Sequence, residues 1–222
     1  LADNTTGLYN VAVGANALRL NTTASNNTAL GRLALFSNTT GSNNVAVGYQ
    51  SLYSNTTGGN LTAIGYAALN ANTTQYWNTA IGYTAANSNT TGTVTAVGAN
   101  ALYSNTTGVA NVAVGGYTGV GASQQGALYG NTTGGYNTAV GIAALKSNTT
   151  ASNNTAVGFQ ALYDNTTGTD NLSVGSQSLR FNTTGSQNTA LGRRALFSNT
   201  TASSNTALGY QALRDTTGTG NT

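Results

Sequence analysis

Histidine, cysteine, glutamate, methionine and proline are all missing from the 222 residues. Without His, Cys or Glu, the usual general bases and soft metal ligands are gone. The sequence therefore points away from an enzyme, offers no catalytic or metal-ligating set and requires no cofactor. The lack of cysteine excludes a disulfide framework and leaves the redox compartment unread. Charge is scarce as well: seven Lys/Arg stand against four Asp, a net of +3. That balance is too small and too dispersed for a nucleic-acid footprint. No apolar run approaches a membrane span, and none has the pattern of a signal peptide.

What the chain has is repetition. The stretch Asn44–Asn60 reads N-V-A-V-G-Y-Q-S-L-Y-S-N-T-T-G-G-N, and it recurs with changes from end to end. Its anchor is a glycine preceded by Ala (once Ser) and then by Val, Ile or Leu, at Gly14, Gly31, Gly48, Gly65, Gly82, Gly98, Gly115, Gly141, Gly158, Gly175, Gly192 and Gly209. Nine of the eleven spacings are 17, one is 16 and one is 26. A period this strict implies stacked units rather than one irregular core.

Within the unit, Val45 and Val47 alternate around Ala46, the period-2 signature of a short strand. The Val47 position is Val, Ile or Leu in all twelve copies, which predicts that it points into the stack. The Val45 position is Thr in eight copies and suits a partly buried place near the edge. Gly48 predicts a corner. Leu52 predicts a second core anchor, being Leu in eleven copies and Ala86 in the other. Asn55-Thr56-Thr57-Gly58 predicts a turn, with Asn and Gly tolerating left-handed backbone.

Seventeen residues are too few for leucine-rich or helical repeats, but they can close one coil with two or three short sides. The predicted fold is all-β: a parallel β-solenoid (a β-roll or β-helix) of about twelve coils stacked about 4.8 Å apart. A single helical turn over Tyr49–Ser54 is the second option. Stacking puts like on like, so Asn at one corner can pass side-chain hydrogen bonds from coil to coil. Residues 1–222 form a single array, entered in mid-repeat at Leu1 and uncapped at both ends. It reads as an excerpt of a longer array, or as a subunit whose ends join others. One residue is missing at Thr93-Val94-Thr95, and an insertion spans about 116–127, where Thr118–Gly121 mimics a truncated extra coil or forms part of a bulging loop.

Few side chains remain as functional candidates. Asp164 and Asp170 lack the pattern of a cation loop and read as solvated turn residues. Lys146, Arg180, Arg193, Arg194 and Arg214 make the C-terminal third mildly basic. Scattered solubilising charge explains them better than an anion or polysaccharide contact. Tyr49, Tyr66 and Tyr83 share one repeat position, and Phe36, Tyr53, Tyr103, Tyr129, Tyr163 and Phe197 share another. Such stripes suit packing first and carbohydrate contact second. Twelve N-T-T sites are formal glycan acceptors: Asn4, Asn21, Asn38, Asn55, Asn72, Asn89, Asn105, Asn131, Asn148, Asn165, Asn182 and Asn199. Asn26, Asn60, Asn153 and Asn171 complete sixteen. A structural role for the N-T-T asparagines is preferred to glycosylation.

The repeat consensus N-T-A-[VIL]-G-Y-Q-A-L-Y-S-N-T-T-G is similar to repeats of bacterial and phage surface fibres, including tail-fibre proteins with a C-terminal self-cleaving chaperone domain. Its T-A-V-G core resembles the S-V-A-I-G repeat in the heads of trimeric autotransporter adhesins. The resemblance implies a fibrous element at a cell or virion surface, outside the cell, with a trimeric β-roll as one assembly, and it supplies no catalytic residue. The expected function is thus a non-enzymatic structural segment of a fibre whose main partner is itself. An adhesin that holds polysaccharide through Tyr49, Tyr66 and Tyr83 is the alternative. Ice binding ranks lower, because adjacent Thr56 and Thr57 face opposite ways in a strand.

Overall fold

In the computed structural model, which describes residues 1–116, 119 and 125–222, the chain is a parallel β-solenoid. Among the described residues, twelve short strands lie side by side in one sheet in sequence order. They are β1 (Val11–Val13), β2 (Thr28–Leu30), β3 (Val45–Val47), β4 (Thr62–Ile64), β5 (Thr79–Ile81), β6 (Val94–Val97), β7 (Asn111–Val114), β8 (Thr138–Val140), β9 (Thr155–Val157), β10 (Leu172–Val174), β11 (Thr189–Leu191) and β12 (Thr206–Leu208). Register is strict: Val45 pairs with Thr62, Ala46 with Ala63 and Val47 with Ile64. Among the described residues there is no helix, so the helical option over Tyr49–Ser54 gives way to tight turns.

Each coil carries one sheet strand. The rest of the coil is still bonded to its neighbours through the backbone, as in Leu52 N–H to Ala68 C=O (3.0 Å) and Thr56 N–H to Thr73 C=O (2.8 Å). Equivalent positions of successive coils therefore form files, each named after its member in the third coil, residues 44–60.

The strand is inverted relative to expectation. Ala46, not Val47, faces the interior, and the Ala46 file is almost fully buried while the Val45 and Val47 files point outward. The reason is space. The coil interior already holds the Leu52 file, fully buried at Leu18, Leu35, Leu52, Leu69 and onward, together with two files of asparagine. Only a methyl fits between the strand and these groups, and a Val there would overpack the core. Alternation fixes which residues share a face, but not which face turns inward.

Two backbone features close the coil. Gly48 has φ +127°, and a Cβ on it would sit 2.5 Å from Gly65 O in the next coil. Only glycine permits both the left-handed corner and that approach. Left-handed backbone also occurs at Gln50 (φ 55°), Leu52 (φ 51°) and Asn60 (φ 57°) and their equivalents. Asn55 and Gly58, predicted to supply it, do not. Leucine rarely adopts this conformation, and here burial of its side chain holds it there.

Both irregularities leave the sheet intact. Val94 takes the place of the missing asparagine and pairs with Asn111. Across the insertion, Val112 pairs with Thr138, and Ala127 N–H reaches Gly115 C=O at 2.9 Å. The extra coil suggested for Thr118–Gly121 lies outside the described residues, apart from Gly119.

Candidate interaction surfaces

The N-T-T asparagines form the first interior ladder. Asn55 donates from Nδ2 to Asn38 Oδ1 at 2.9 Å and to Gly58 O at 3.0 Å, and its own Oδ1 accepts from Asn72 Nδ2 at 2.9 Å. The pattern runs unbroken from Asn4 through Asn21, Asn38 and Asn55 to Asn72, then resumes at Asn89 through Asn105, Asn131, Asn148, Asn165, Asn182 and Asn199. At the gap, Asn78 Nδ2 reaches Asn72 Oδ1 (3.1 Å). Eleven of the twelve are wholly buried, and Asn4 is half-buried. Apart from Asn4 and Asn89, which donate only to Gly7 O and Gly92 O, each Nδ2 spends both of its protons on protein acceptors, so a sugar there would displace a bond already made. Of the other acceptor sites, Asn26, Asn60 and Asn153 are exposed and Asn171 is buried.

A second ladder was not foreseen. Asn44 Oδ1 accepts the Leu61 backbone N–H (3.0 Å), while Asn44 Nδ2 donates to Gly58 O (2.9 Å). Gly58 O therefore takes protons from Asn55 and Asn44 together, tying the two ladders into one network. The signal was present in the sequence, where Asn precedes ten of the twelve strands.

Thr56 is also committed, its Oγ1 donating to Thr73 O at 3.1 Å, whereas Thr57 is exposed. The N-T-T segments thus present one outward Thr file and not the paired files that a flat ice-matching array wants.

The outward sheet face runs along the whole array. One file is aliphatic in every coil, from Val13 through Ile64 (38% exposed) and Ile81 (38%) to Leu208. The other mixes Thr with Val11, Val45, Val112 and Leu172. Eleven ladder steps of about 4.8 Å make the face roughly 53 Å long. Of its twenty-four side chains, eleven are exposed and thirteen partly buried, and a continuous apolar strip of this kind marks an interaction surface.

The turn side of the coil carries the aromatic files. Tyr49, Tyr66 and Tyr83 stack on one another, with centroids 5.3 and 5.1 Å apart. Phe36 stacks on Tyr53 and Tyr103 on Tyr129, each at 5.3 Å. Inner ring faces are therefore spent on neighbouring rings, and a sugar could meet only edges or the ends of a stack. Further along, the Tyr53 file alternates cation and ring. Lys146 Nζ and Arg180 Cζ lie 5.0 and 5.2 Å from the Tyr163 centroid, on a ring that is itself buried. Asp164 beside them is partly buried, and burial raises its pKa above the ordinary 3.8 against the opposing charges of Arg180 and Lys146. Asp170 is exposed. At the missing residue, a shallow notch of about 280 Å³ opens between Trp77 and Val112.

Among the described residues no cluster of His, Cys, Asp or Glu could hold a metal ion, and no helix is long and apolar enough to cross a membrane. The geometry defines a parallel β-solenoid of 17-residue coils with an asparagine-bonded interior and an outward aliphatic sheet. No protein-family model matches the chain, and no curated protein or solved structure matches it.

Proposed function

We propose that this chain is a non-enzymatic structural segment of a fibre displayed outside a cell or on a virion, and that copies of it associate through the outward sheet face. The observation that carries this reading is the unbroken aliphatic file from Val13 to Leu208. Such a face costs solubility when it stands in water, and a second copy laid along it would cover it. Its regularity along the axis suits a second copy, whose own ladder repeats at the same interval. The interior supports the scaffold role: ladder bonds fix the register of every coil, and nothing in the cross-section is arranged around a reacting group. The N-T-T asparagines act here as structural elements.

The test uses the single chain and the double variant Ile64→Lys/Ile81→Lys. Both side chains lie outside the coil interior, so the variant keeps the solenoid spectrum in circular dichroism. Sedimentation velocity at micromolar concentration should show oligomers for the parent and monomers for the variant. A parent that sediments as a dispersed monomer across that range contradicts the proposal.

A further inference from the structure

Two arginines on the turn side are held in a way that scattered solubilising charge does not require. Arg180 Nε donates to Gln160 Oε1 (3.0 Å), and Arg194 Nε donates to Gln177 Oε1 (2.9 Å). The two glutamines are themselves joined, Gln177 Nε2 to Gln160 Oε1 at 3.3 Å. Each guanidinium also lies over aromatic rings: Arg180 Cζ is 4.7 Å from Phe181 and 5.2 Å from Tyr163, and Arg194 Cζ is 5.3 Å from Phe197. Tied at Nε and stacked on a ring, each group leaves Nη1 and Nη2 without an acceptor among the described residues. That fork matches a carboxylate bidentately, and its entropy cost of ordering is already met.

We propose that Arg180 and Arg194, set by the Gln160–Gln177 pair and flanked by Lys146 and Arg214, form a binding site for a linear carboxylated polysaccharide. The spacing argues for that polymer over a nucleic acid. Lys146, Arg180 and Arg214 occupy one file at every second coil, or about 9.6 Å apart from two ladder steps. A glycan with a uronate on every second sugar presents acid at comparable intervals, whereas duplex DNA carries a charge per roughly 1.7 Å. Base stacking is also poorly served, because Tyr163 has cations over it and Phe197 has Arg194 and Arg214 close by. Asp164 and Asp215 sit on the same edge, Asp215 Oδ1 lying 3.7 Å from Arg214 Nε, and both weaken the local positive field. The site goes beyond the scaffold role and lies apart from the outward sheet face, so it stands or falls separately from self-association.

Isothermal titration with hyaluronan oligosaccharides at low salt tests the site, with neutral dextran and single-stranded DNA as comparison polymers. Binding should be salt-sensitive, absent for dextran and weaker for DNA. Arg180→Lys keeps the charge and loses the fork, and should weaken binding by about ten-fold or more, the scale of a lost charge-assisted pair. Asp164→Asn should tighten binding. The variant Lys146→Gln/Arg180→Gln should lose binding, while Arg19→Gln/Arg32→Gln, which removes the same charge elsewhere, should not. Melting curves for each variant report whether the stack survives. No binding of hyaluronan, equal binding of DNA, or equal loss in the two charge-matched variants overturns the proposal.

Discussion

Replacing Asn148 by Ala should be among the most damaging single substitutions in the array. The side chain is fully buried and takes part in three hydrogen bonds: Nδ2 to Asn131 Oδ1 (2.8 Å), Nδ2 to Ala151 O (3.0 Å) and Asn165 Nδ2 to its Oδ1 (3.0 Å). Each is worth about 0.5–1.5 kcal/mol net, and a buried group left without a partner costs about 1–3 kcal/mol. Asn131 Oδ1 loses the bond it accepts, while Asn165 Nδ2 keeps only Gly168 O (2.9 Å). The expected loss is therefore about 3–5 kcal/mol, a large share of the 5–15 kcal/mol that holds a typical domain. Thr150→Ala is the control. It removes the same N-T-T acceptor site at an exposed hydroxyl, and should stay within about 0.5 kcal/mol. Solenoids can unfold coil by coil, so urea titration is best joined to hydrogen exchange at the Thr149 amide, which bonds to Thr166 O. A loss below about 1 kcal/mol in Asn148→Ala, or equal losses in the two variants, would refute the ladder argument.

Gly48→Ala should lower the melting temperature sharply, since its Cβ would meet Gly65 O at 2.5 Å, whereas Gly209→Ala meets nothing within 4 Å and carries only the strain of its φ. An equal effect at both sites would remove the close-approach explanation. Ala46→Val should destabilise by about 1–3 kcal/mol through overpacking, while Val47→Thr on the outward face should leave the unfolding midpoint of the single chain nearly unchanged. For Asp164, the raised pKa means that the folded chain holds this proton to higher pH than the unfolded chain. Stability from this group is thus full below 3.8 and declines as pH rises through the folded value. Asp164→Asn should flatten that part of the curve, and an unchanged pH profile would contradict the assignment.

Much of the fold was legible because a 17-residue period leaves few ways to stack a coil. The Leu52 file and the Asn55 ladder followed from composition and position together, since a buried amide needs a partner and the next copy supplies one. The polarity of the strand was not legible. Hydrophobicity ranks Val above Ala for the interior, but the width of the coil, set by Leu52 and two asparagine files, decides against it. The Asn44 ladder was visible as a preference before ten of the twelve strands and lacked only a reason. Left-handed backbone at Leu52 has no local signal, because the choice is made by closure of the coil. On the surface, the basic side chains of the C-terminal third were seen as a group. Their fixing by Gln160 and Gln177 depends on neighbours 17 and 20 residues away, which only the stacking brings together.

The inverted strand and its outward aliphatic face can be tested in one experiment, because the chain has no cysteine of its own. Single variants Ala46→Cys and Val47→Cys are exposed to a thiol reagent across a dilution series. Ala46→Cys should stay protected at every concentration in the folded chain. Val47→Cys should react quickly when dilute and become protected as copies associate. Rapid labelling of Ala46→Cys, with Val47→Cys protected even at the lowest concentration, would contradict the account.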